Sequence, residues 1–123
     1  MMASGRTWIV VLDDSRAQFF RRETSGALVE AAPELSSGNG EQPAQSRRTA
    51  RDGILRDAMV ATEAACDRNE CDRIVVVGPE RLLGAFRRQA SDRVRVRLWR
   101  ERAGEVSTLS ADDIAQSIDA YFR

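Results

Sequence analysis

The 123-residue chain contains neither lysine nor histidine, and only two cysteines, three prolines and one tyrosine. Without lysine it offers no Schiff-base amine and no Walker-type phosphate ligand. Without histidine it holds no Ser-His-Asp or Cys-His apparatus and no imidazole for a metal. Long hydrophobic runs are also missing. Trp8-Ile9-Val10-Val11-Leu12, stopped by Asp13 and Asp14, is too short for a signal-peptide core and far too short for a membrane span. A cytoplasmic protein without a membrane partner is therefore expected. Cys66 and Cys71 stand five positions apart, which is neither the redox C-x-x-C spacing nor half of a zinc site. They fit one core thiol at a helix end and another at a strand start. No metal and no cofactor are expected.

What is present describes an ordinary globular chain, 42% hydrophobic and 31% charged, with nineteen arginines balancing nineteen acids. The length suits one domain over residues 1–123. Residues 8–12 and 74–77 are unbroken β-branched runs, the pattern of strands covered on both faces. A second strand is expected at 16–22 and, after the Thr24-Ser25-Gly26 turn, a third at 27–32. From about 34 to 48 the composition shifts to Gly, Ser, Asn and Gln, which predicts a flexible loop. A helix follows over about 49–68, marked by Ile54, Ala58, Ala61 and Ala65 and stopped at Asn69. Pro79 opens another, burying Leu82, Leu83, Phe86 and Ala90, with Gly84 explained by close packing on the sheet. Residues 93–100 alternate, Val94, Val96 and Leu98 against Arg93, Arg95, Arg97 and Trp99, and read as a half-exposed edge strand. Ser110 caps a last helix that buries Ile114, Ile118, Tyr121 and Phe122.

Central places go to the two doubly buried runs, and the hairpins lead outward from the first. The expected fold is α/β, a five-stranded mixed sheet of order 3-2-1-4-5 with helices on both faces, as in ribonuclease H-like folds.

Three segments carry a resemblance. Trp8-Ile9-Val10-Val11-Leu12-Asp13 followed by Ser15-Arg16-Ala17-Gln18-Phe19-Phe20 resembles the opening of the bacterial host attachment protein family, with Asp13, Arg16 and Ala17 matching its pattern. In Ile74-Val75-Val76-Val77-Gly78-Pro79-Glu80-Arg81-Leu82-Leu83-Gly84-Ala85-Phe86-Arg87, residues Pro79, Leu83, Gly84 and Arg87 fall in place, and Leu109-Ser110 adds a third match. That family is also described as bacterial relatives of the archaeal and eukaryotic release factors. The resemblance implies a release-factor middle-domain fold. Residues 36–65 depart from the family pattern, being shorter and lacking its loop histidine.

In the release factors a Gly-Gly-Gln loop enters the peptidyl-transferase centre. The equivalent loop here carries Gly38-Asn39-Gly40-Glu41-Gln42. Its spacing is broken and Glu41 adds an anion beside an RNA-rich target, so Gly38, Gly40 and Gln42 are expected to form an adaptable polar loop. A two-metal site would need converging carboxylates. Asp13 and Asp14 instead read as turn residues, and Glu80 as a first-turn acid on its helix dipole. No catalytic residue is assigned.

The segment 81–102 holds eight arginines against Asp92 and Glu101. Arg87 and a strand face of Arg93, Arg95, Arg97 and Trp99 would combine phosphate contacts with base stacking; equally, such charge keeps an edge strand from aggregating. The expected function is a non-catalytic RNA- or ribosome-associated module. The alternatives are a protein-interaction module working through the edge strand, as an attachment role implies, or a peptidyl-tRNA hydrolase acting through the 38–42 loop.

Overall fold

All six residues of β1, Thr7–Leu12, are buried, because strands flank it on both sides and helical segments cover both its faces. The computed structural model describes residues 6–13, 15–22, 28–36, 44–104, 113, 114 and 116. After β1 come β2 (Arg16–Arg22), β3 (Leu28–Ser36), α1 (Ala44–Asp67), β4 (Arg73–Gly78), α2 (Glu80–Gln89), α3 (Asp92–Arg95) and β5 (Leu98–Ala103). The sheet order is β3-β2-β1-β4-β5, as the apolar patterning demands. β1 runs antiparallel to β2 and parallel to β4, with Ile9 opposite Phe20 on one side and Val75 on the other. β4 and β5 are parallel, and β2 and β3 antiparallel.

The period-2 alternation of strands divides the core. Trp8, Val10, Leu12, Phe19, Ile74 and Val76 face Ile54, Leu55, Ala58 and Met59 of α1, Leu82, Leu83 and Phe86 of α2, and Val94 of α3. Ile9, Val11, Phe20, Val75 and Val77 form the opposite layer with Ile114, and Leu28 and Trp99 lie at its margin. Each such buried side chain contributes about 1.5–3 kcal/mol of apolar transfer. Thr62 lies wholly inside the first layer; its hydroxyl bonds to the Ala58 carbonyl oxygen at 2.9 Å, and the Trp8 indole Nε1–H donates to it at 3.3 Å.

Three expectations need correction. β3 continues through Pro33 to Ser36 and α1 begins at Ala44, so the expected 34–48 loop shrinks from both ends. Pro33 is tolerated because β3 is the outermost of the described strands on its side, with one ladder to complete. Second, Arg93 and Arg95 belong to the short helix α3, and β5 starts only at Leu98. Val94 is fully buried beneath this turn whereas Val96 is 78% exposed, so the alternation of 93–97 does not sort inside from outside. Third, a Cβ added at Gly84 would meet the ends of the Arg88 and Arg87 side chains at 3.3 and 3.8 Å, not the sheet. Among the described glycines, the one that close packing does require is Gly78, where an added Cβ would lie 2.6 Å from the Leu12 carbonyl oxygen.

Asp113, Ile114 and Gln116 are helical and Ile114 is buried, as the final stripe anticipates. Ser110, Ile118, Tyr121 and Phe122 lie outside the described residues, as do the 24–26 turn and Asp14.

Candidate nucleic-acid interface

The outermost described strand on the β4 side of the sheet is β5, and its aromatic residue is Trp99. Leu98 pairs with Ile74 and Arg100 with Val75, so Trp99 falls at a register irregularity between the two pairs. Bulged positions of this kind re-aim side chains at sheet edges. Trp99 is half-buried and rests against the Ile9–Val75 layer. The Arg73 guanidinium carbon is 4.1 Å from the centroid of its ring, and that of Arg100 is 4.8 Å away. Arg73 opens β4 and donates from Nε to the Thr7 hydroxyl at 3.0 Å, which fixes its position beside the indole. Leu98, Trp99, Arg100 and Glu101 line a surface depression of about 320 Å³. The arrangement joins a flat π surface to fixed positive charge, the pairing that single-stranded nucleic acid meets with base faces and phosphates.

Most of the arginines expected on one strand face are occupied elsewhere. Arg93 pairs with Asp67 at 3.2 Å and lies 3.8 Å from Glu63, both on α1. Arg95 donates to the Ala90 carbonyl at 3.0 Å and lies 3.7 Å from Asp92. Arg97 reaches back to the Arg93 carbonyl. These contacts hold α3 against α1 and shape the turn, and they do not converge on Trp99. Arg87, on α2, contacts both carboxylate oxygens of Glu101 at 2.8 and 3.0 Å, tying the helix to β5. Of the expected contact residues, only Trp99 stands in the cationic–aromatic cluster. Arg73, placed immediately ahead of an apolar run, gave no sequence signal; Arg100, beside the tryptophan, did.

The motif positions have structural duties. Asp13 closes β1 with its backbone N–H on the Arg16 carbonyl at 2.9 Å, making the turn into β2. Pro79 occupies the N-cap position of α2, and its carbonyl accepts from the Leu82 and Leu83 N–H groups. Glu80 is the acid of that first turn. Gly38, Gly40 and Gln42 lie outside the described residues. Among the described residues no three Cys, Asp or Glu side chains are grouped to hold a metal, and no helix is long and apolar enough to cross a membrane.

The family model for bacterial archaeo-eukaryotic release factor family 12 matches residues 30–118. An archaeal translation termination factor of known crystal structure shares the fold, with a TM-score of 0.58 at 12% identity over 95% of this chain and 39% of that one. A second solved structure, described as an archaeal protein, gives 0.53 at 12% identity over 95% and 38%. The chain thus spans about two-fifths of the solved structures it resembles. No curated protein sequence matches it.

Proposed function

The chain belongs to bacterial archaeo-eukaryotic release factor family 12, and on that premise we propose that it is a non-catalytic, RNA- or ribosome-associated module acting in translation in the cytoplasm. The observation that carries this reading is Trp99, set on an edge strand with Arg73 and Arg100 at 4.1 and 4.8 Å from its ring. The exposed Arg100 would swing from the indole to a flanking phosphate as an unpaired base takes its place on the ring. Arg93, Arg95 and Arg97 serve the fold, so phosphate contacts fall to the β4–β5 side of the sheet.

Titrating the protein with a structured RNA bearing a single-stranded loop, at several salt concentrations, tests the reading. Affinity falls steeply as salt rises if phosphates are neutralised. Trp99→Ala lowers affinity by about 1–3 kcal/mol, the usual worth of one base stacked on an aromatic ring. Binding that ignores both salt and Trp99 would refute the proposal.

A protein partner is the second reading, favoured by β5 having β4 as its one neighbour among the described strands. A partner strand could add to that edge, and the attachment role implied by the sequence resemblance would use it. Capture of partners from lysate that survives ribonuclease treatment separates this reading from the first.

A further inference from the structure

Cys66 and Cys71 are brought together by the way α1 ends. Asn69 takes a left-handed conformation, φ 57°, its N–H donates to the Cys66 carbonyl at 3.0 Å, and the Glu70 N–H donates to the Ala65 carbonyl at 2.8 Å. This is the paired hydrogen-bond pattern of a Schellman cap, with asparagine in the place glycine usually holds. The cap turns the chain back on the last turn of the helix, so the residue after Glu70 returns to the residue that accepts the Asn69 bond. The two sulfurs lie 3.2 Å apart, and both cysteines are buried, at 3% and 2% exposure. Neither has any part in the interface around Trp99.

We propose that Cys66 and Cys71 form an oxidisable dithiol, a modification site that small two-electron thiol oxidants convert to an intramolecular disulfide. A disulfide bond is about 2.05 Å long, so sulfurs already at 3.2 Å need close by only a little over an ångström. The turn between them is fixed by backbone hydrogen bonds and does not have to rearrange. Spacing by four intervening residues hides this from any C-x-x-C search; the helix cap produces the contact.

Diamide, an azo compound, serves as the oxidant class. One of the two sulfurs adds to one nitrogen of the N=N bond, and the other nitrogen takes up its thiol proton. The second sulfur then attacks the first, the S–S bond forms, the S–N bond breaks and the hydrazine leaves with the second proton. Two thiols lose two electrons and two protons, and the azo bond gains both. Burial and the neighbouring Cys66 sulfur push the Cys71 thiol up to about 12.

The sequence supplies a direct readout. Trypsin cuts after Arg56, Arg68 and Arg73 and so separates the two cysteines into peptides 57–68 and 69–73. Reduced full-length protein is treated with diamide, then measured by intact mass and digested without reductant. The expected result is a mass lower by two hydrogens, the two peptides recovered as one linked species, and a raised thermal midpoint that dithiothreitol reverses. Cys66→Ser and Cys71→Ser, each verified as folded by circular dichroism, should show no such mass loss. Failure of the folded wild-type protein to lose two hydrogens where its urea-unfolded form does so would overturn the proposal. So would a persistent diamide adduct, a disulfide-linked dimer, or a two-hydrogen loss in either variant.

Discussion

The indole Nε1–H of Trp8 donates to the hydroxyl of Thr62 at 3.3 Å across the layer between β1 and α1, with both residues buried. Thr62→Val keeps the shape and removes the acceptor. The Trp8 N–H is then left without its partner in the interior, at a cost of about 1–3 kcal/mol. Thr62→Ser retains the oxygen and loses a methyl group, about 1 kcal/mol. Urea unfolding of both variants checks the order.

Two glycines should respond in opposite senses. Gly78→Ala forces a methyl group against the Leu12 carbonyl oxygen, 2.6 Å away, where the backbones of β1 and β4 meet. It should destabilise by about 1–3 kcal/mol, as overpacking does. An added Cβ at Gly53, within α1, meets nothing within 4 Å. Gly53→Ala should stabilise by about 0.5–1 kcal/mol through helix propensity. Thermal melts of the two variants check the contrast.

Replacing Arg93 by Ser removes pairs with Asp67 and Glu63 at a half-exposed site. It should cost stability by no more than about 1 kcal/mol and leave RNA affinity unchanged. Arg100→Ser should do the reverse, leaving the melting temperature in place and lowering the salt slope of RNA binding by about one. The two variants measured side by side separate fold from interface.

The Cys71 thiol also makes stability depend on pH. Its value stands near 12 in the folded chain against an ordinary 9.0, so folding favours the protonated form. This contribution is complete below pH 9 and is lost as pH rises from 9 towards 12. Cys71→Ala should flatten the decline in unfolding free energy over that window, measured by denaturant titration at successive pH values.

The sheet was legible where burial is two-sided. Residues 8–12 and 74–77 are apolar throughout because nothing in β1 or β4 faces solvent, and the order of all five strands follows from giving them the centre. Elements that touch the core on one side, or for part of their length, were not fully legible. β3 runs on past Pro33 as an edge strand, and the first turns of α1, from Ala44 to Ala50, carry no apolar stripe to announce them. At 93–97 the alternation of Arg and Val suits a strand and a single helical turn alike, and burial of Val94 beside α1 decides between them. For the candidate interface, Trp99 could be found from its neighbours in sequence. Arg73 could not, since it arrives from another strand and depends on the parallel pairing of β4 with β5.

The hydrogen bond from Arg73 to Thr7 spans 66 positions of sequence, and the seam it belongs to sets a schedule for synthesis. As the nascent chain emerges, β1 can pair at once with β2, but its other edge stays bare until β4 has been made. During that interval an apolar strand with unsatisfied backbone groups is open to any passing polypeptide. Truncated products ending between β3 and β4 should therefore be insoluble or chaperone-bound, and the short hairpin region should not survive on its own.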